Sequence, residues 1–351
     1  MHTDLKYMQR CLELAKNGAG LVSPNPMVGA VIVHDNKMIG EGWHQKAGQP
    51  HAEVNAIDSV KDKSLLAEST IYVSLEPCSH VGKTPPCSNL IIQKGFKRVV
   101  VGSLDSNPQV AGKGIERIAN AEITVKWGIL EKECRNLNRK FFTYHEKKRP
   151  FITLKWAQTA DGFIDKKRVP EEIGQFKISG PLAKAFVHKL RAEHDAILVG
   201  SNTAQTDNPS LTTHAYGGNS PIRIVLDRSN KLTAKLTIFN DENPTWHFTY
   251  SGEEVDSGSK RRIVLNQDDF INDMLKYCFK SQVQSILIEG GAIVLQQFID
   301  ANLWDEAIVI TNAKTIASGK KAPKIAGRET VSFSVEDDEI KTYSNDGISF
   351  T

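Results

Sequence analysis

The chain has 351 residues, enough for two domains, and its 40% hydrophobic and 24% charged residues favour a buried core without long disorder. A net charge of +3 gives no support to a nucleic-acid-binding or membrane-surface protein. The sequence has no run of ~18 apolar residues and its N-terminus lacks the apolar core of a signal peptide, so we expect a cytoplasmic protein without membrane contact.

The first part of the chain alternates strand and helix signals. The elements expected there, in chain order, are a helix over residues 5–17, strands at Val28–Val33 and Met38–Trp43 joined by a turn at 34–37, a helix from His51 or Ala52, a buried strand at Ile71–Leu75, a helix from near Pro86, and a strand at Arg98–Gly102. Such alternation predicts a layered α/β domain.

A charged run that ends in proline, at residues 145–150, is the clearest boundary, and it divides the chain into domains of residues 1–147 and 148–351. The second part also alternates. Its strand candidates are 151–157, 195–200, 221–227, 261–265, 285–289 and 305–311, and its helix candidates are 180–193, 267–279 and 291–300. We expect a second α/β domain with its own sheet.

Five cysteines are too few, and odd in number, for a disulfide framework in a cytoplasmic protein. Cys11, Cys134 and Cys278 each lie in a helix-like apolar pattern, and we expect each to be a small buried side chain. Cys78 and Cys87 lie in a different context, between a strand and a helix.

Those two cysteines, together with His51, predict a catalytic zinc site, because such sites use three protein ligands and leave one position for water. Glu53 lies two residues from His51 and can transfer protons without being a ligand. The zinc-deaminase signature is H-x-E followed by P-C-x-x-C. Here the first half matches, whereas eight residues separate Cys78 from Cys87. The alternative is that both cysteines are structural and that His51 caps a helix.

The residues between the two cysteines include His80 and Lys83, which suit a phosphate group near a helix N-terminus; a solvated loop is the alternative. Asn25 precedes the first strand and could read a base edge through its amide. His44 ends the second strand and could reach the same pocket. For Asn25 and His44, a turn or core role is the alternative.

At this point the chain resembles a known family. Pro24-Asn25-Pro26, His51-Ala52-Glu53 and the segment from Glu76 to Cys87 are similar to the bifunctional deaminase/reductases of riboflavin biosynthesis. In the second part, the resemblance continues through Lys155–Gly162, Leu190–Glu193, Asp207–Thr212 and Ile288–Gly291. It implies a cytidine-deaminase-like α/β/α domain followed by a dihydrofolate-reductase-like α/β domain.

The resemblance implies two reactions on small phosphorylated aminopyrimidines. The ring 2-amino group of 2,5-diamino-6-ribosylamino-4(3H)-pyrimidinone 5′-phosphate would be removed with Zn²⁺, and the ribosyl group of 5-amino-6-(5-phosphoribosylamino)uracil would then be reduced to ribityl with NADPH. We further expect a homo-oligomer that binds neither nucleic acid nor membranes.

The family pattern also implies the contacts of each ligand, carried over position by position. Substrate contacts would be Asn25, His44, His80, Lys83, Gln175, Arg191, Leu211, His214 and Glu289. Cofactor contacts would be Ala157, Lys177, Thr203, Asp207, Arg228, Gly291, Ala292, Ile293, Val294, Leu295, Gln296 and Gln297.

The residues of the second part carry weaker signals of their own. Glu289-Gly290-Gly291 ends a strand and opens a helix, an arrangement that favours a bound phosphate, although a tight turn needs the same glycines. It is not the G-x-G-x-x-G of a Rossmann dehydrogenase. Arg191 could hold the substrate phosphate or be a surface arginine, and Asp207 could simply cap a turn.

The chain departs from the family pattern at two places. His214 stands where the family usually has an arginine for the ribose phosphate, so either another cation compensates or phosphate affinity is lower and rises at acid pH. The loop at residues 165–178 also matches the family poorly.

Two other functions remain open at this stage. A nucleic-acid base deaminase with a binding module would need a basic stripe with interleaved aromatic residues, which a charge of +3 does not supply. A metal-stabilised binding protein without catalysis is the second alternative, and replacing Glu53 with alanine discriminates: if zinc stays bound and deamination is lost, Glu53 is catalytic.

Overall fold

The computed structural model describes residues 2–79, 85–107, 111–169 and 172–345. The chain divides into two compact units, one up to Lys148 and one from Arg149. Within the described ranges, no helix has the length and apolarity that a bilayer crossing requires.

The first unit contains a mixed sheet between helices. Its elements are α1 (His2–Ala15), β1 (Gly29–His34), β2 (Lys37–Trp43), α2 (Ala52–Ser59), β3 (Thr70–Leu75), α3 (Cys87–Lys94), β4 (Arg98–Ser103), α4 (Lys113–Ala119), β5 (Thr124–Lys126), α5 (Glu131–Leu137) and α6 (Arg139–Lys147). The sheet order is β2-β1-β3-β4-β5, with β1 antiparallel to both neighbours and β3, β4 and β5 parallel.

Alternating side chains of β1 divide the core of this unit into two layers. Ala30 and Ile32 pack with α2, α3 and α4 on one face, whereas Val31 and Val33 pack with α1 and Cys134 of α5 on the other. Both faces are therefore covered by helices, and the predicted α/β/α layering is confirmed. The three cysteines outside the zinc motif are buried, as expected.

The second unit is built on a larger sheet. Its elements are β6 (Phe151–Thr159), β7 (Phe163–Lys166), α7 (Pro181–Ala192), β8 (Ala196–Gly200), α8 (Ser201–Asp207), β9 (Ile222–Leu226), β10 (Thr245–Thr249), β11 (Val255–Asp256), β12 (Lys260–Val264), α9 (Phe270–Lys280), β13 (Ser285–Ile288), α10 (Ala292–Asp300), β14 (Glu306–Asn312), β15 (Gly319–Lys321), β16 (Arg328–Val335) and β17 (Asp338–Ser344).

The ten-stranded order is β11-β12-β10-β9-β8-β13-β6-β14-β17-β16, and β15 pairs separately with β7. The run from β12 to β14 is parallel. β6 is the first strand of the unit in sequence, yet it lies between β13 and β14, which come much later in the chain. One face of the sheet packs on α9 and α10 and the other on α7 and α8, which agrees with a second α/β domain.

The expected elements are confirmed to within a few residues, but α4, α5 and α6 of the first unit and the buried strand β10 of the second were not expected. The stretch from Thr203 to Asp207, for which no element was expected, is most of α8, whose sequence has no apolar periodicity to predict a helix. The hairpin of β16 and β17 was not predicted either, because β16 is exposed along almost its whole length.

Candidate functional site

The three expected metal ligands of the first unit lie together where three elements meet. His51 immediately precedes α2, Cys78 follows β3, and Cys87 is the first residue of α3. The Nδ1 atom of His51 is 3.6 Å from Sγ of Cys78 and 3.4 Å from Sγ of Cys87. Among the described residues, this is the cluster whose ligand atoms could all bind one metal ion.

The donor set and its spacing fit zinc. Two atoms bound to one tetrahedral zinc, at ordinary Zn–N and Zn–S lengths, are ~3.5 Å apart, close to both distances from the His51 ring. The pKa of the Cys78 thiol is lowered because it accepts hydrogen bonds from Cys87, with a further contribution from His51. The pKa of the Cys87 thiol is raised by its hydrogen bond with Cys78 and by burial. His51 makes no side-chain cap to α2, which argues against the capping alternative.

Glu53 lies in the first turn of α2 and is buried. Burial raises the pKa of its carboxyl to about 7, and the nearby Cys78 adds to this effect while His51 opposes it. A carboxyl in this position can exchange protons near neutral pH, as a proton shuttle requires.

Asn25 and His44 are brought together beside the ligand cluster. Nδ2 of Asn25 donates to Nε2 of His44 at 3.0 Å, and Nδ1 of His44 donates to the carbonyl of Pro50, which precedes His51. The rings of His44 and His51 meet edge to face at 5.4 Å. Asn25 and His44 therefore have structural hydrogen bonds and also border the ligand cluster, so the structural role and the site role suggested for each residue are compatible.

Two anchors of this site were not anticipated. Glu76 is a buried carboxylate at the end of β3 that accepts hydrogen bonds from the backbone N–H groups of Asp105, Gly112, Gly114 and Ile115. Asn138 pairs with both backbone polar groups of Met27, next to the segment that carries Asn25. A Cβ on Gly114 would lie 2.0 Å from the Pro77 carbonyl oxygen, so only glycine lets α4 come this close to Pro77.

His80 and Lys83, which were expected to contact the substrate, lie outside the described residues.

In the second unit, Arg191, Glu289 and Lys155 form one buried ionic cluster. Nε and Nη2 of Arg191 donate to the two carboxylate oxygens of Glu289 at 2.8 and 2.9 Å, and Nζ of Lys155 lies 3.5 Å away from Oε2. Only 10% of the Arg191 side chain is exposed, so the surface-arginine alternative is wrong. Burial raises the pKa of Glu289, but the two cations outweigh it and lower that pKa to about 2.

The loop after α8 is held by two arginines. Nη1 of Arg191 donates to the carbonyl of Thr212 at 3.1 Å, and the fully buried Arg223 donates to the carbonyl of Ser210 at 3.1 Å. Leu211, between these two carbonyls, is buried with a left-handed backbone (φ 56°), a conformation that is costly for leucine and persists only where neighbours enforce it. No sequence signal marked Arg223.

His214 is exposed at the end of this loop. Its Nδ1 pairs with the Thr212 hydroxyl at 3.1 Å, and its ring meets the buried His188 edge to face at 4.5 Å. Burial lowers the pKa of His188 to about 4, and Arg191 and His214 add to the effect, so His188 is neutral at physiological pH.

Two of the expected cofactor segments lie at the starts of α8 and α10, which follow the carboxyl ends of β8 and β13. A Cβ on Gly291 would lie 3.1 Å from Oγ1 of Thr203, which marks a close approach between the starts of α8 and α10. No side chain caps the N-terminus of α10, and Ile293 in its first turn is 67% exposed. Such a free helix N-terminus suits a phosphate of a dinucleotide.

The other expected substrate and cofactor residues are spread over several elements of the second unit. Arg228 donates to Oε1 of Gln297 at 3.2 Å, which joins two of them. Asp207 is the last residue of α8 rather than the cap of a separate turn. Gln175 and Lys177 are exposed, and among the described contacts neither meets another expected site residue. Ala157 lies near the end of β6.

Two family models match the chain and together cover most of it. Residues 1–103 match the cytidine and deoxycytidylate deaminase zinc-binding region, and residues 150–349 match the RibD C-terminal domain.

Curated relatives and solved structures match along nearly the full length. The riboflavin biosynthesis protein RibD of Aquifex aeolicus is 39% identical, with 90% of this chain and 88% of that protein aligned, and RibD of Escherichia coli is 36% identical over 90% and 89%. A Thermotoga maritima structure described as a diaminohydroxyphosphoribosylaminopyrimidine deaminase/5-amino-6-(5-phosphoribosylamino)uracil reductase has a TM-score of 0.88 at 35% identity, covering 98% of this chain and 99% of its own. Acinetobacter baumannii RibD has the same TM-score and coverage at 30% identity.

Proposed function

This chain belongs to the RibD family of bifunctional deaminase/reductases in riboflavin biosynthesis, and from that premise we propose which of its residues carry each reaction. The protein is an enzyme with a zinc-dependent deaminase domain and an NADPH-dependent reductase domain of the dihydrofolate-reductase type. We assign deamination to residues 1–147 and reduction to residues 148–351. The observation that carries the proposal is the His51–Cys78–Cys87 cluster with the buried Glu53 beside it.

In the deaminase, His51, Cys78 and Cys87 would hold the zinc ion. Zinc, when bound, supplies a Lewis acid that makes water nucleophilic at neutral pH. Glu53 takes a proton from the attacking water and delivers it to the leaving amino group, so that the ring C–N bond breaks, a C=O group forms and ammonia leaves. Asn25 and His44 hold the pyrimidine ring, a role supported by their mutual hydrogen bond beside His51.

In the reductase, the first turn of α10 and Gly291 would bind a phosphate of NADPH, with Thr203, Asp207 and Arg228 around it. NADPH, when bound, supplies the hydride. Arg191 and Glu289 face the ribosyl phosphate substrate as one rigid unit, because each holds the other's charged group in place. His214 contributes a hydrogen-bonding edge where the family usually has a guanidinium.

The proposal is tested on the full chain loaded with zinc. We expect ammonia release from the diaminopyrimidine nucleotide and then NADPH oxidation with the deaminated product. A Glu53→Gln variant should keep its zinc and its reductase activity while losing deamination. Ammonia release from tRNA alone, or deamination that survives in Glu53→Gln, would overturn the assignment.

We propose that the protein is a homo-oligomer, a state supported by β16, an exposed edge strand on which Val331 and Phe333 are unusually accessible for apolar residues. Light scattering at assay concentration measures this directly, and a single-chain mass would contradict it. A cytoplasmic location is also proposed, supported by the need to keep Cys78 and Cys87 reduced.

A further inference from the structure

One buried arginine outside the family motifs connects two segments of the second unit. Arg168 follows β7, and only 9% of its side chain is exposed. Its Nε lies 2.9 Å from both carboxylate oxygens of Asp165, and its Nη2 lies 3.4 Å from Oδ1 of Asp207 at the end of α8. A single guanidinium is therefore shared by two carboxylates from different elements.

The same arginine also holds the far end of its own loop. Nη1 of Arg168 donates to the carbonyl of Gly174, and the N–H of Gly174 donates to the carbonyl of Thr206, at 2.8 Å. The last turn of α8 is thus hydrogen-bonded to this loop twice, through the backbone carbonyl of Thr206 and through the side chain of Asp207. We call the set of Arg168, Asp165, Asp207 and Gly174 the Arg168 clamp.

We propose that Arg168 is a positioning residue for NADPH binding, because its clamp fixes Asp207 and the last turn of α8 in the orientation that receives the cofactor. This inference rests on the proposed function, in which Thr203 and Asp207 of α8 contact NADPH. The loop that carries Arg168 is also where the chain departs from its family pattern, so the chain supplies its own anchor at this point.

The charges around Asp207 support the same role. Burial raises the pKa of Asp207 and Asp165 adds to that effect, whereas Arg168 and Lys320 oppose it. Without Arg168, Asp207 loses the cation closest to its carboxylate within the clamp and retains the influence of Asp165. Its carboxylate would then be protonated at higher pH, and an ionised acceptor for the cofactor would be lost below that pH.

The chain offers a matched control in Lys320. Lys320 also bonds to Asp165, at 3.2 Å, but its side chain is 59% exposed and it is not part of the clamp. Lys320→Met should therefore change the charge near Asp165 while leaving the contact between Arg168 and Asp207 intact.

The test measures reductase kinetics of the full chain for Arg168→Met, Arg168→Lys and Lys320→Met. We expect Arg168→Met to raise the KM for NADPH about tenfold, the equivalent of one charge-assisted hydrogen bond, with the KM for the uracil nucleotide unchanged. The acid limb of the NADPH KM should move to higher pH. Arg168→Lys should give an intermediate value and Lys320→Met less than a twofold change.

The failures can be told apart. A wild-type chain that does not oxidise NADPH with the uracil nucleotide refutes the proposed function. An active wild type with an unchanged NADPH KM in Arg168→Met overturns the positioning role. Equal rises in both KM values, together with a lowered Tm, mean a structural role only and also overturn it. If Arg168→Met does not fold, the same criteria apply to Arg168→Lys.

Discussion

Replacing Arg191 with methionine tests the ionic cluster of the reductase. The substitution keeps most of the side-chain volume but removes both hydrogen bonds to Glu289 and the one to the Thr212 carbonyl. Glu289 then remains buried with Lys155 alone, 3.5 Å away. Because a second cation stays, the cost falls at the lower end of what breaking a buried pair costs, about 3 kcal/mol.

The kinetic effect has a separate origin, in the contact that Arg191 makes with the substrate. If Arg191 donates to the substrate phosphate, losing that charge-assisted contact, worth about 1.5–3 kcal/mol, lowers reductase kcat/KM by roughly ten- to a hundredfold. The variant should also become sensitive to acid. The pKa of Glu289 is about 2 in the wild type and rises when Arg191 is removed, so residual activity should fall at low pH where the wild type still works. The assay follows NADPH oxidation from about pH 5 to about pH 8.

Arg149 provides a matched control in the same unit. It donates twice to the buried Asp305, at 2.6 and 2.8 Å, and once to the Pro150 carbonyl, at the start of β6. Arg149→Met should therefore cost a similar free energy of unfolding, measured by urea titration, while changing kcat/KM less than about twofold. Equal kinetic losses in both variants, or an unchanged kcat/KM in Arg191→Met, would refute the reasoning.

Three further outcomes are expected. Zinc removal by a chelator should abolish ammonia release but leave NADPH oxidation with the deaminated substrate intact; loss of both would mean that the metal supports the whole chain. Gly291→Val should raise the KM for NADPH at least about tenfold, since even its Cβ would lie 3.1 Å from Oγ1 of Thr203; an unaffected KM would remove Gly291 from the cofactor site. The hydrogen bonds from Arg98, together with Lys126 and Tyr72, hold the pKa of the buried Asp4 well below its ordinary range despite burial. Its stabilisation is present above the unfolded-state pKa and is lost on acidification, so Asp4→Asn should be less stable by about 2–3 kcal/mol near pH 7, with the difference shrinking below about pH 4. A constant difference in unfolding free energy across this range would contradict that sign.

The zinc cluster could be predicted from sequence because its parts are local. His51 and Glu53 occupy one helix start, and Cys78 and Cys87 flank one strand-to-helix connection. Helix and strand signals therefore placed all four residues at element ends, where side chains from neighbouring elements meet. The fold class followed for the same reason, since apolar periodicity marks each buried strand and helix separately.

The anchors could not be predicted because they depend on register between distant segments. Asn138 pairs with Met27 across 111 residues, and Arg191 meets Glu289 across 98. Arg168 follows two lysines in the sequence, a pattern typical of an exposed loop, and no neighbouring residue indicates that Asp207 is its partner. A charged side chain becomes an anchor only when the sheet order brings its partner close, and no local pattern encodes that order.

The central position of β6 also determines the order in which the second unit can be made. This strand leaves the ribosome directly after the first unit, yet its neighbour β13 comes much later in the sequence: Lys155 of β6 and Glu289, which follows β13, contact each other through their side chains and are 134 positions apart. At about 5–20 residues per second, synthesis of that interval takes roughly seven to twenty-seven seconds. During that time neither edge of β6 has a strand to pair with, and its core residues Ile152, Leu154 and Trp156 are not yet covered. The first unit can fold while the central strand of the second still lacks its neighbours β13 and β14, so we expect the nascent second unit to be the part of this protein that depends on chaperones.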